Sequence, residues 1–153
     1  MNLRLGRQRS DQTLKSAHFD KLRRGDDVLD GKGGKDCLFG GDGADDLTGG
    51  GGADTFLYTA ATEGGDIIRD FKVGIDKIMI VGATFAGISS GGVPSADQFF
   101  SGDEASLGSH RYGYDATTGN VLFDADGKDG ADAQVLATLT GTPGFSRTDI
   151  TVI

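Results

Sequence analysis

The feature that most constrains what this chain can fold into is a repeat of nine residues. From residue 22 the sequence divides into LRRGDDVLD, GKGGKDCLF, GGDGADDLT and GGGGADTFL. The fourth place holds Gly25, Gly34, Gly43 and Gly52, the sixth Asp27, Asp36, Asp45 and Asp54, and the eighth Leu29, Leu38, Leu47 and Phe56. Richness in glycine does not by itself keep three columns in register, and a flexible Gly/Asp-rich linker has no reason to keep a period at all. The third and fourth units hold the pattern most fully. The second has Lys32 at its second place, and the first has Leu22 and Arg23 where two glycines belong, which predicts a degenerate first turn.

Each column has its own physical reason. Glycine takes the positive φ of a tight turn and lets neighbouring backbones approach. The sixth-place aspartate sets a carboxylate beside the carbonyl oxygens of that turn. The eighth-place apolar residue lies on a short strand and points inward, because strand side chains alternate between faces. One unit therefore gives one turn and one strand, two units give a coil of about 18 residues, and turns on the same edge stack. Stacked carboxylates repel unless a cation lies between them. Carboxylates joined by carbonyl oxygens suit a hard ion such as Ca²⁺, which takes six to eight oxygens. Strands this short enclose a poor core, so metal binding is expected to supply much of the folding free energy.

Composition narrows the function further. The net charge is −8, yet residues 1–24 hold seven basic and two acidic side chains, so the acidity is concentrated in the body of the chain. An acidic, oxygen-rich body excludes nucleic acid as a partner. The 27 glycines stand beside only 2 prolines, which argues for glycines at defined backbone positions. A single cysteine, Cys37, leaves no internal disulfide framework. No apolar run approaches the roughly 20 residues of a membrane span. Residues 1–24 lack the continuous apolar stretch of a secretory signal, so export without a cleaved N-terminal signal is expected.

These units resemble the hemolysin-type (RTX) calcium repeat, G-G-x-G-x-D-x-U-x with U a large apolar residue. The chain resembles above all the C-terminal β-roll of serralysin-type metalloproteases and the repeat modules of alginate epimerases, closely over about residues 22–82. The resemblance implies an all-β fold: a parallel β-roll over 22–65, a C-terminal antiparallel β-rich cap over 66–153, and a basic segment, flexible or capping, over 1–21. It also implies ligand sets for Ca²⁺. One turn gives carbonyls from its second and fourth places with its aspartate, and the facing turn gives carbonyls from its first and third places with its own. The first site is then Arg23, Gly25 and Asp27 with Gly40, Asp42 and Asp45; the second is Lys32, Gly34 and Asp36 with Gly49, Gly51 and Asp54. Counting nine from Asp54 reaches Glu63, which nominates a third site of Gly41, Gly43 and Asp45 with Glu63. In the serralysin-like pattern an acidic residue before the stretch that reads DIIRDF here closes the last site, so Asp66 joins Glu63 opposite Gly50, Gly52 and Asp54. An ordinary acidic loop is the alternative reading of Glu63 and Asp66.

Beyond residue 66 strand signals replace the repeat. IRDF and DKIMIV flank a turn at 72–74, RYGYD and NVLFD flank a hairpin turn at 116–119, and AQVLATLTG and the terminal DITVI complete the set. Residues 82–97 read as a loop, and the resemblance allows a short helix at 95–100. DITVI also resembles the ending of proteins exported by one-step (type I) machinery. DADGKDGAD, at 124–132, departs from a calcium-binding EF-hand loop, because Lys128 and Asp129 fall where an oxygen ligand and a glycine belong; it reads as a polar turn. His18 and His110 stand apart, with no H-E-x-x-H stretch for catalytic zinc. Cys37, at an outward seventh place, reads as a free surface thiol.

The expectation is a monomeric, secreted, non-enzymatic calcium-binding module that meets the type I secretion machinery. Two alternatives stay open. The chain is the non-catalytic C-terminal fragment of a serralysin-like protease or epimerase, or it is an adhesion module that binds polysaccharide.

Overall fold

The computed structural model describes residues 2–5, 24–85, 91–128, 130 and 132–153, with the backbone alone for 2–5. The fold is all-β. Among the described residues the only helical pieces are single 3-10 turns, and no helix is long and apolar enough to cross a membrane.

Two sheets are built by a chain that alternates between them. The strands are β1 (Asn2–Leu5), β2 (Val28–Asp30), β3 (Asp36–Phe39), β4 (Asp46–Thr48), β5 (Thr55–Tyr58), β6 (Asp66–Ile68) and β7 (Lys77–Ile80), followed by β8 (Phe99–Ser101), β9 (Tyr112–Asp115), β10 (Asn120–Phe123), β11 (Gln134–Leu139) and β12 (Ile150–Val152). One sheet runs β1-β3-β5-β7-β12 with every pair parallel. The other runs β2-β4-β6-β11-β10-β9-β8: parallel through β11, antiparallel from β11 to β9, and closed by β8 parallel to β9.

The eighth-place residues form the spine of the core. In one sheet Leu29 pairs with Leu47, Leu47 with Ile68 and Ile68 with Leu139. In the other, Leu38 pairs with Phe56, Phe56 with Ile78 and Ile78 with Ile150. All eight side chains are buried in a single cluster that also takes in Phe71, Phe85, Tyr112, Phe123 and Phe145. The first coil spans 18 residues, as the repeat requires, and the next spans 21 in one sheet and 22 in the other. The parallel pairing therefore passes through residue 66 without a break, and β11 and β12 extend the same two sheets.

Gly52 shows why the turns are written in glycine. Its φ is +130°, and a Cβ there would stand 1.7 Å from the Gly34 carbonyl oxygen of the previous coil. No other residue fits a left-handed turn stacked this closely.

The C-terminal elements fall where strand signals place them. The 116–119 turn joins β9 to β10 and is fastened by Asp115, whose carboxylate accepts from the Thr117 amide and from both threonine hydroxyls. A 3-10 turn at Ala96–Gln98 follows Ser95, whose amide donates to the Gln98 side chain. The 124–132 stretch connects β10 to β11, and Asp124 is spent inside it, accepting from the Asp126 and Gly127 amides. The reading of Cys37 as a surface thiol is corrected: it is buried, and burial pushes its thiol pKa up. Its strand has β1 on one side, with Leu3 opposite Cys37, and β5 on the other, so it is not an open edge.

Candidate metal centre

Two columns of carboxylates run along the coil, one on each edge: Asp27, Asp45 and Asp66 lead into one sheet, and Asp36, Asp54 and Asp76 into the other. These aspartates stand at the entries to the strands, and Asp45, Asp54, Asp66 and Asp76 each lend one oxygen to the coil before. Asp45 Oδ1 accepts the Asp27 amide at 2.8 Å, and Asp66 Oδ1 accepts the Asp45 amide at 2.9 Å. In the second column Asp54 Oδ1 accepts the Asp36 amide at 3.0 Å, and Asp76 Oδ1 accepts the Asp54 amide at 2.9 Å. These bonds fix the stacking of the turns.

The remaining oxygens divide into two kinds. At the later end of each column the protein closes its own valences: Asp66 Oδ2 accepts the Tyr58 hydroxyl, and Asp76 Oδ2 accepts the Lys72 amide, both at 2.8 Å. Earlier in the columns they are left open. Oδ2 of Asp45, Oδ2 of Asp54 and both oxygens of Asp36 are buried without a hydrogen-bond partner, in residues only 1–2% exposed. A buried carboxylate oxygen without a donor costs on the order of 1–3 kcal/mol or more. The glycines at the first place make room for these oxygens. A Cβ on Gly40 would lie 1.9 Å from Asp45 Oδ2, and one on Gly49 would lie 2.6 Å from Asp54 Oδ2. Four buried carboxylate oxygens on three aspartates, anionic and unpartnered, fit hard cations.

The electrostatics agree. Burial holds the Asp45 and Asp54 carboxyls above the usual range, and their column neighbours push the same way against the amide bonds they accept. For Asp54 the Lys72 charge works in the opposite direction. Burial lifts Asp66 to about 7, opposed by the Asp45 amide and the Tyr58 hydroxyl and assisted by the Asp45 and Glu63 charges.

The carbonyls named from the resemblance are partly engaged. Asp42 O accepts the Gly25 amide, Gly51 O the Gly34 amide and Lys32 O the Gly51 amide, at 2.7–2.8 Å. Each keeps a second lone pair. Lys32 takes a φ of +67°, the left-handed conformation that Gly41 and Gly50 adopt at the same place of later units. Arg23 lies outside the described residues. No three His, Cys, Asp or Glu side chains converge among the described residues, so any ion here would depend on carbonyl oxygens beside the aspartates.

Glu63 and Asp66 are not placed as the nine-residue count suggests. The Glu63 carboxylate turns back on its own loop and accepts the Thr59 and Ala60 amides and the Thr59 hydroxyl. Nor does Asp66 stand opposite Asp54 with Gly50 and Gly52. The coil has lengthened to 21 residues, so Asp66 follows Asp45 in the other column, above the turn of Gly41 and Gly43. The residue that follows Asp54 is Asp76. Its signal is present in the sequence: Asp66-Ile67-Ile68 and Asp76-Lys77-Ile78 keep the D-x-U triplet after the glycines have gone. Asp70, also outside the expected set, accepts the Gly49 and Gly50 amides at 2.8 and 2.7 Å. The histidine that lies among the described residues is spent on structure: His110 is buried, stacked on Phe100, and its Nδ1 accepts the Ser106 amide.

Comparison with known proteins follows the same lines. The family model described as peptidase M10 serralysin C terminal matches residues 28–152. Among solved structures, the solution structure of the AlgE6R3 subunit from the Azotobacter vinelandii mannuronan C5-epimerase is similar over 92% of this chain and 85% of that chain, with a TM-score of 0.50. At 21% identity this likeness is one of fold. No curated protein sequence matches the chain.

Proposed function

The chain belongs to the peptidase M10 serralysin C-terminal family, and from that premise we propose that it is a non-enzymatic calcium-binding β-roll module, which completes its folding when the ion enters between stacked turns. The observation that carries the reading is the set of buried, unpartnered oxygens on Asp36, Asp45 and Asp54. Bound Ca²⁺ would supply the positive charge and the coordination that these oxygens lack.

The chain's own residues do the rest. Asp27 and Asp45, with the carbonyls of Gly25, Gly40 and Asp42, would hold one ion. Asp36 and Asp54, with the carbonyls of Lys32, Gly34, Gly49 and Gly51, would hold a second. Asp45 and Asp66, with Gly41 and Gly43, would line a third interval. In the first two intervals one oxygen of Asp45 or Asp54 keeps the turns stacked by accepting an amide while the other would face the ion; in the third both Asp66 oxygens are already engaged, and Asp45 and the turn carbonyls are what remains. Release of the ion leaves like charges buried one above another, and folding is thereby tied to calcium. The setting that suits such a switch is a monomer exported by one-step machinery into the extracellular medium.

Calcium titration of the full chain followed by far-UV circular dichroism tests the proposal. The β signal is expected to grow as calcium rises through about 10⁻⁴ to 10⁻³ M, the range of extracellular modules. Full β-structure in excess chelator, unchanged by calcium, would sink it.

A further inference from the structure

The second carboxylate column does not end as it begins. In the interval between the turns that carry Asp36 and Asp54, the second-place residue is Lys32, and its ammonium reaches out to Asp30 at 3.6 Å on the surface. In the next interval, between Asp54 and Asp76, a lysine points the other way. The Lys72 ammonium donates to the carbonyl oxygen of Gly50, the second-place residue of the Asp54 turn. The Lys72 backbone amide is at the same time held by Asp76 at 2.8 Å, and its side chain is half-buried. Asp70 clasps the Gly49 and Gly50 amides from the same loop, so the carbonyl and the ammonium are presented to each other by a fixed frame.

We propose that Lys72 is a tethered cation that fills the last interval of the Asp36–Asp54–Asp76 column, where its ammonium takes the place that a divalent ion takes in the interval before it. The inference rests on the calcium reading above. An ammonium is a compact positive charge with donors that carbonyl and carboxylate oxygens can accept, and unlike a bound ion it cannot dissociate. A divalent ion placed beside it would meet repulsion and lose the Gly50 carbonyl. The number of ions is therefore smaller by one than the stacking of carboxylates suggests. The covalently supplied charge also keeps the later end of this column assembled at low calcium, so that the turns before it close onto a formed surface. The first column has a different device at the matching place, the Tyr58 hydroxyl on Asp66.

The test is ion counting by native mass spectrometry on the full chain in excess calcium, with circular dichroism in chelator beside it. Lys72→Met keeps the stem and removes the charge. It is expected to bind one more calcium than the parent chain and to lose β signal in chelator, while Lys72→Arg keeps the parent's count. An unchanged count in Lys72→Met overturns the proposal, as does an added ion in Lys72→Arg. A Lys72→Met chain that fails to refold even in excess calcium overturns it as well, because the ion then cannot replace the ammonium. A parent chain that binds no calcium fails the reading beneath it, whereas a parent that binds ions with an unchanged variant fails only the role of Lys72.

Discussion

Asp66 shows at the scale of one residue how the apo chain and the ion compete. Its carboxyl is lifted from 3.8 to about 7, chiefly by burial. Between about pH 4 and pH 7 the folded chain therefore holds a proton that the unfolded chain has released. The stability this contributes is full below about pH 4 and is lost as pH rises through 7. The calcium-free chain should accordingly resist urea better at pH 4.5 than at pH 7.5, by on the order of a few kcal/mol. Asp66→Asn should flatten that profile and stabilise the apo form at neutral pH. A parent chain whose calcium-free stability rises from pH 4.5 to 7.5 would show that Asp66 is not protonated in the fold. Protons and calcium stabilise the same carboxylates, and neutral pH removes one of the two.

At the scale of the turn and its strand, the nine-residue unit makes much of the fold legible from the residues alone. The eighth-place residues are the core spine, the sixth-place residues are the two carboxylate columns, and the 18-residue coil follows from their spacing. Less legible was where the unit changes length. The 3-10 turn at Ala61–Glu63 and the loop before Asp76 insert residues between strands while the D-x-U triplets continue, so a fixed count of nine lands on Glu63 instead of Asp66. Cys37 escaped for a different reason, since nothing in its own unit announces that β1 pairs beside β3. The stacking also ranks the aspartates. Asp45 is buried and shares intervals with both Asp27 and Asp66, whereas Asp27 is half-buried and lies in the degenerate first turn. Asp45→Asn keeps the amide acceptor and removes the charge. Its calcium affinity in isothermal titration should fall about tenfold or more, and by more than that of Asp27→Asn. Equal losses would make the first turn a full member of the stack.

At the scale of the whole molecule, the described residues share one core, and this decides how it unfolds. Phe71 packs on both Phe56 of the roll and Phe145 of the C-terminal region, at 6.0 and 5.5 Å between ring centres, so no apolar boundary separates the two. Thermal melts of the calcium-loaded chain should therefore coincide whether followed by far-UV dichroism or by the near-UV tyrosine signal, two of whose three sources, Tyr112 and Tyr114, are buried in the antiparallel part and the third, Tyr58, in the roll. Two resolved transitions would mean that the roll stands alone. The alternation of the chain between two sheets carries a further consequence, for how such a molecule can change in length. Nine residues carry the chain from one sheet to the other, so inserting a single unit would send every later strand to the wrong face. β6 would then seat on β5, and Asp66 would fall under Asp54 instead of Asp45. Two units restore both faces and both columns at once. Descent by duplication is thus quantised: the roll can grow or shrink only by a whole winding, and a lineage that gains a single repeat must rebuild everything downstream or lose it.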